Sequence, residues 1–360
     1  MRLATCLLAA CTALGAADAA PAKGLFNLGS GKPAAPRFTL TDRTWPAQPG
    51  EAALCLWRDD KFAAYSVSID DNCASDVPWW LEQAKAHGVP LTWFVITGGI
   101  DDPKAYKPQT GTWELWKQVI AAGHAVESHS VLHWHGFQDD GTPPSGWQGY
   151  DWECTASQAS IAAGTGRAAR FYAYAGGKAA PKHNDATVAI RHYLACRGGT
   201  GINRADTTDY GMVMGMSRAT WNDPKSPWCD PTQILARDPK AKYFRGWACP
   251  FLHFVGKPEG KEAALQVLAF AKDNAAELWV GLFGDVARYG QERDTATLAV
   301  AESTSERIAF DLSDRMDDAL YDLPLTVKVR LPPAWSGAAA SQDGREAALR
   351  IVERDGARYA

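Results

Sequence analysis

Short apolar runs alternate with amphipathic stretches along most of the chain. Ala63–Ile69, Leu91–Ile96, Ala125–Ser128, Arg170–Tyr174, Tyr193–Cys196, Met212–Met216, Trp247–Phe254 and Leu278–Phe283 are brief and mostly apolar, which predicts buried strands. Helical patterns lie between several of them. Asp76 can cap a helix that runs to about His87 and is closed by Gly88. Thr112 can cap another, with Leu115, Trp116, Val119 and Ile120 on one face and Gly123 at its end. A third covers Lys261–Asn274. Strand–helix alternation sustained over roughly 230 residues predicts an α/β fold with a parallel sheet or barrel. In such folds the chemistry sits at the C-terminal ends of the strands, so the residues just after each strand matter most.

The pattern changes after about Arg293. Ala296–Ala301, Arg307–Leu312, Leu325–Leu331 and Ala347–Val352 read as strands joined by polar turns, and residues from Leu325 on alternate clearly. Residues 294–360 are therefore expected to form a small antiparallel β module, after a larger domain over 52–293. Residues 21–51 are rich in Gly, Pro and Ala and read as an extension without periodicity. Residues 1–20 read as a signal peptide. Arg2 is a minimal basic region, Leu3–Ala13 an apolar core, and Ala17-Asp18-Ala19 or Asp18-Ala19-Ala20 a cleavage site. Leu8-Ala9-Ala10-Cys11 also has the form of a lipoprotein cleavage box, so anchoring at Cys11 is an alternative to release. Either way the expected location is periplasmic or secreted. No later run has the length and apolarity of a membrane span.

Charge and cysteine content narrow the picture. The formal net charge is -4 and no long basic stretch is present, which disfavours nucleic acid as a partner. Outside the leader stand Cys55, Cys73, Cys154, Cys196, Cys229 and Cys249. An even number in an exported chain predicts disulfides, with Cys229–Cys249 the first choice of pair. No CxxC occurs, so a zinc ribbon is not expected.

Two motifs follow strands. Ala63–Ile69 runs into Asp70-Asp71, and Ala125–Ser128 runs into His129-Ser130-Val131-Leu132-His133. Alone, an Asp-Asp pair is most often a solvated turn and an HxxxH most often chance. Together they are stronger, because both should emerge at one rim of a parallel fold. A helical turn from Ser130 would put both imidazoles on one face. One carboxylate and two imidazoles would then leave coordination positions for water and substrate, as catalytic metal sites do. His135 is a further conceivable ligand.

Ser68-Ile69-Asp70-Asp71 resembles the first motif of the polysaccharide deacetylase (NodB-homology) family, carbohydrate esterase family four, and His129 to His133 resembles its H-(S/T)-x-x-H motif. Thr92-Trp93-Phe94 is similar to the family's T-x-F strand, and Phe251-Leu252-His253 to its late L-x-H motif. The resemblance covers roughly residues 52–293. It implies a distorted parallel (β/α) barrel and one divalent metal, usually Zn2+, held by Asp71, His129 and His133. It further implies Asp70 as catalytic base and His253 as general acid. One motif departs. The family's arginine-bearing segment has only Tyr172-Ala173-Tyr174-Ala175-Gly176-Gly177 as counterpart, with Ala173 where the arginine that braces the base should stand. Arg170 lies nearby, and Asp206 and Asp209 are candidate partners for His253 or for a bracing arginine.

The expected activity is hydrolysis of N-acetyl groups on an amino-sugar polysaccharide or oligosaccharide. The alternatives are an O-acetyl esterase acting on acetylated xylan or a similar polymer, and a carbohydrate-binding protein that keeps the fold without turnover.

Overall fold

A computed structural model describes residues 23–27, 34–102, 109–134, 142–177, 185–217 and 229–360. The expected signal peptide of residues 1–20, Cys11 within it, and His135 lie outside these residues.

The described residues fall into two compact units, one of Gly24–Leu40 with Lys61–Arg288, the other holding Thr41–Asp60 and Tyr289–Ala360. In the first, seven strands close a barrel. In chain order they are Val67–Ile69, Leu91–Val95, Ala125–Ser128, Phe171–Ala173, Ala195–Thr200, Val213–Ser217 and Pro250–Leu252. Each pairs in parallel with the next, and Pro250–Leu252 closes the ring on Val67–Ile69. The fold class expected from the strand–helix alternation is the one observed. Its strands bury nearly every side chain, as parallel strands covered on both faces must.

Two expected strands are each broken in two. Ala63–Ile69 divides at Ser66 and Trp247–Phe254 at Cys249. The front halves, Ala63–Tyr65 and Trp247–Ala248, leave the barrel and join Leu278–Val280 in a separate three-stranded parallel sheet. The Ser66 hydroxyl receives the Trp247 indole N–H at 3.1 Å where the sheets part. Helix Val77–His87 begins after Asp76 and ends at Gly88, whose φ of 68° suits glycine. Asp76 is not a side-chain cap, however: its carboxylate accepts the Val255 N–H at 2.8 Å. Thr112 does cap helix Trp113–Ala121, accepting from Leu115 N at 3.3 Å. Trp80, Trp93 and Trp116 are fully buried in the main core.

The second unit is β-rich. Ala52–Leu54 pairs antiparallel with Val327–Val329, so the segment before Asp60 belongs with the C-terminal strands and not with the barrel; the boundary drawn after residue 51 splits that sheet. Thr297–Ser303 pairs with Ile308–Ser313. Ala347–Val352, expected as a strand, is instead the link between two hairpins, Ala340–Gln342 with Arg345–Ala347 and Val352–Arg354 with Ala357–Tyr359. Each hairpin turns on an Asp-Gly pair with both φ positive, at Asp343-Gly344 and Asp355-Gly356. Ile308, Phe310, Val329, Leu331 and Trp335 form this unit's own core.

Cys55, Cys73, Cys154, Cys196, Cys229 and Cys249 are all buried and no disulfide joins any two of them, contrary to the expectation from their even number. Cys73, Cys154, Cys196 and Cys249 serve as small apolar filling, and burial pushes each thiol's pKa up.

Candidate metal centre and active site

The residues after the barrel strands converge. Val67–Ile69 delivers Asp70 and Asp71, Ala125–Ser128 delivers His129, and Pro250–Leu252 delivers His253. His129 and His133 meet without a helix. Ser130 has φ 71° and His133 φ 53°, so the segment is a tight loop that folds back on itself. Side chains hold it there. The buried Glu153 carboxylate, on helix Tyr150–Thr165, accepts the N–H groups of Val131 at 2.6 Å and Leu132 at 3.0 Å. The Ser130 hydroxyl accepts His133 N at 2.9 Å. Asp71, Asn72 and Cys73 are likewise all left-handed, with φ of 58°, 61° and 50°. Asn72 anchors that turn. Its amide donates to the carbonyls of Ile96 at 3.2 Å and Thr110 at 2.9 Å, and its side-chain oxygen accepts Ile96 N at 2.8 Å.

Both histidines aim Nε2 at Asp71. Oδ1 of Asp71 lies 3.4 Å from His129 Nε2 and 3.3 Å from His133 Nε2, and the two Nε2 atoms are 3.2 Å apart. Three ligands on a tetrahedron with bonds of about 2.0–2.1 Å would stand about 3.4 Å from one another. The spacing therefore suits one small divalent cation. Asp71 Oδ1 is also buried with no hydrogen-bond donor in proper geometry, which a cation would satisfy. His129 Nδ1 donates to the Ala173 carbonyl at 2.8 Å, which leaves Nε2 with its lone pair toward the centre. Among the described residues this is the one cluster of three such side chains placed for a metal.

Charge in the cluster is finely opposed. Burial alone would raise the Asp71 pKa, but contact with His129 and the positive charge of His129, His133 and His253 hold it well below the usual carboxylate range. Burial would lower the His129 pKa, but Asp71 and Asp70 together raise it.

The arginine missing from the Tyr172–Gly177 segment enters from the next strand. Arg197, inside Ala195–Thr200 and buried, turns its guanidinium onto Asp70. Nη2 donates to Oδ1 at 2.5 Å and also to Oδ2. Its plane is packed by the rings of Phe251 and Phe94, 4.4 Å and 5.2 Å from the guanidinium carbon. Arg170 is not the brace; its backbone N–H donates to Glu127 at 2.8 Å. Asp206 instead pairs with Arg204 at 2.8 Å, and Asp209 accepts the backbone N–H groups of Asn27 and Gly211. His253 is about half exposed, with Nε2 3.7 Å from Asp71 Oδ2. The barrel thus brings Asp70, Asp71, His129, His133 and His253 together, and adds Arg197 and Glu153, which the sequence analysis did not single out.

Comparison with known proteins adds a similarity over part of the chain. Residues 59–197 match the family model described as polysaccharide deacetylase. That span holds Asp70, Asp71, His129, His133 and Arg197, and stops short of His253. A gellan lyase of Bacillus sp is 33% identical over 347 residues. That match takes in 90% of this chain but only 13% of the relative, so the chain spans a small part of that protein's length. Among solved structures, a polysaccharide deacetylase from Bacillus cereus aligns at 16% identity over 38% of this chain and 40% of its own, with a TM-score of 0.31. The Xyl-CE4 domain of a multidomain xylanase from the hindgut metagenome of Trinervitermes trinervoides aligns at 15% identity over 62% and 89%, with a TM-score of 0.37. The sequence match, which contains the aspartate pair and the histidine loop, makes residues 59–197 similar to the polysaccharide deacetylase family.

Proposed function

We propose that this protein hydrolyses N-acetyl groups on an amino-sugar polysaccharide or oligosaccharide, with one divalent metal, Zn2+, held by Asp71, His129 and His133. The observation that carries this reading is the orphaned Asp71 Oδ1 standing 3.3–3.4 Å from two imidazole Nε2 atoms at the barrel rim. An ion bound there would polarise the acetyl carbonyl and lower the pKa of water to about 7.

The chain's own residues do the rest. Asp70, buried beside the ligands, takes the proton of the attacking water. Arg197 holds both oxygens of that carboxylate, fixing its direction within a site where small misplacement is costly. The amine of an amide leaves poorly unless protonated, and His253, reachable from solvent and facing Asp71, delivers that proton. The leader of residues 1–20 directs the protein to the periplasm or beyond, where such polymers are met.

Removal of O-acetyl groups is the second reading, since an ester needs the same metal and base but depends less on His253. Acetate release is to be measured on N-acetylated chitooligosaccharides, peptidoglycan and acetylxylan, with metal stripped by chelator and then Zn2+ restored. We expect release from the N-acetylated substrates that disappears with chelator and returns with Zn2+. Release from acetylxylan alone would move the assignment to the esterase, and carbohydrate binding with no release on any substrate would leave a binding protein.

A further inference from the structure

The loop that carries His129 and His133 hangs on side chains. Its four consecutive N–H groups all go to side-chain oxygens. Ser130 N donates to Ser128 Oγ at 3.2 Å, Val131 N and Leu132 N to the Glu153 carboxylate at 2.6 Å and 3.0 Å, and His133 N to Ser130 Oγ at 2.9 Å. The first of these acceptors is itself held from further away. Ser128 Oγ lies 2.7 Å from Ser157 Oγ, on helix Tyr150–Thr165. The Tyr193 hydroxyl stands 3.1 Å beyond, just after helix Ala186–His192. The Tyr193 ring stacks on Tyr172, centroids 4.9 Å apart, and Tyr172 is in register with Ser128.

The direction of this chain follows from its protons. Ser157 and Tyr193 both donate to the Cys154 carbonyl, each at 3.0 Å. A hydroxyl has one proton to give, so the hydrogen between Ser128 and Ser157 comes from Ser128. That leaves a Ser128 lone pair for the N–H of Ser130, a residue held at φ 71°. Ser128 and Ser157 are fully buried and Tyr193 nearly so, and a hydroxyl that loses its partner at that depth is not resolvated by bulk water. Without the Ser157 oxygen, Ser128 must turn to find another acceptor, and its hold on Ser130 turns with it. Ser130 in turn sets His133. Glu153 and Ser157 are four residues apart on one helix and therefore share a face.

Resting on the metal site proposed above, we infer that Ser157 is a positioning residue for the metal ligands. It orients Ser128 and through it the loop of His129 and His133, so that helix Tyr150–Thr165 grips the loop at two points one turn apart. Tyr193 backs Ser157 from the far side.

The test uses the full chain, stripped of metal and titrated with Zn2+ against a chromogenic chelator. Ser157→Ala should weaken Zn2+ binding about tenfold, the lower end of what loss of a ligand's support costs. Ser157→Cys, whose thiol keeps a weak donor and acceptor, should recover part of that loss. In a Ser128→Ala background there is no hydroxyl left to orient, so adding Ser157→Ala should change the Kd by less than about twofold. Ile161→Val, a buried change on the same helix, should lower Tm and leave the Kd alone. A Kd within about twofold of the unaltered protein in Ser157→Ala would overturn the proposal, and so would an equal loss with and without Ser128. Should Ser157→Ala not fold, Ser157→Cys in the same two backgrounds decides by the same comparison. Should the unaltered protein bind no Zn2+, the metal reading falls, and hydrogen exchange at the amides of residues 130–133 decides the grip. Exchange that is faster in Ser157→Ala but not in Ile161→Val upholds it; equal exchange in all three proteins overturns it.

Discussion

Both the barrel rim and the C-terminal β unit contain left-handed backbone, and they bear it differently. In the β unit it falls at Asp343-Gly344 and Asp355-Gly356, in hairpin turns that require positive φ and with residue types that adopt it cheaply. At the rim it falls on Asp71 and Asn72, which adopt it readily, but also on Cys73, Ser130 and His133, where no glycine relieves it and the conformation costs of order 1–3 kcal/mol each. Nothing in the Cys73 and Ser130 side chains makes the conformation easy. It is imposed by Asn72 on the strand beside it, by Glu153 on the histidine loop, and by Ser130 on His133. Strain that costs little makes a turn; strain held against its cost by buried polar groups points side chains at one spot. Substitutions at the rim should therefore remove chemistry, and those in the hairpins only stability.

The largest effect is expected at the ligands. His129→Ala should abolish both bound metal and activity, since two ligands cannot hold the ion of a three-ligand site. Elemental analysis of the folded variant is the check, and full metal occupancy would remove His129 from the ligand set.

The next concerns Asp70 and Arg197. Asp70→Asn should keep the metal and lower kcat by about 10² to 10⁴, the usual worth of a general base. Arg197→Met should lower kcat in the same direction and also lower stability, because it leaves the Asp70 charge buried without its partner, a loss of about 3–5 kcal/mol. The double variant Asp70→Asn, Arg197→Met should regain part of that stability, measured by chemical unfolding. A double variant as unstable as the sum of the two would mean that the pair is not coupled.

These residues also mark how far the chain could be read before its structure. Asp70, Asp71 and His129 stood out because each follows an apolar run, and a parallel fold gathers strand ends at one rim; His253, inside the expected strand Trp247–Phe254, stood out only through its resemblance to the family's late L-x-H motif. Arg197 did not, although it directly follows the expected strand Tyr193–Cys196; the structure carries that strand on to Thr200, so Arg197 lies inside it, where its charge is odd. That oddity was the usable signal: a cation in an apolar strand must find a buried anion, and Asp70 was the one offered. Glu153 had no such flag, since a glutamate on a helix is ordinarily solvated. The cysteines misled because parity says nothing about whether two sulfurs face each other. Ala347–Val352 misled because its apolar content outweighed the Asp-Gly pairs on either side, which were the better guide to two hairpins.

Gly98 offers a milder way to disturb the rim. Its φ is ordinary, but an added Cβ would meet the Val131 carbonyl at 2.7 Å, and the Gly98 N–H donates to that same carbonyl at 2.9 Å. Gly98→Ala must push the histidine loop, so metal affinity and kcat/KM should fall together by about 10–100-fold, as when a ligand's support is lost. Wild-type metal affinity in this variant would show that the loop tolerates displacement.

Glu127 tests how the barrel carries buried charge. Burial raises its pKa to about 8, although the N–H groups of Phe171 and Arg170 and the charges of Arg288 and Arg170 pull the other way. A carboxyl raised in the folded state binds more protons there than in the unfolded chain, where its value is ordinary. Its contribution is therefore complete below about pH 4.5 and lost as the pH rises through about 8, by at most about 1.4 kcal/mol per unit. Thermal unfolding should show stability declining across that window, and Glu127→Gln should flatten the decline. An equal slope in both proteins would assign the pH dependence elsewhere.

The smallest effect belongs to the β unit and completes the pair with Gly98. Gly344 has φ 75°, and a Cβ added there would meet nothing within 4 Å. Space is thus no obstacle to Gly344→Ala; only the left-handed backbone is, at about 1–2 kcal/mol. For a unit of this size that amounts to a few degrees in Tm. Metal content and turnover per folded molecule should not move, because the hairpin Ala340–Gln342 with Arg345–Ala347 contributes no residue to the cluster of Asp71, His129 and His133. The two alanine substitutions then oppose each other: the one with ordinary φ and no room should injure chemistry, and the one with ample room and strained φ only stability. If Gly344→Ala lowers turnover on small soluble substrates while the protein stays folded and metal-loaded, strain in the hairpin is not idle, and the contrast between the two regions fails.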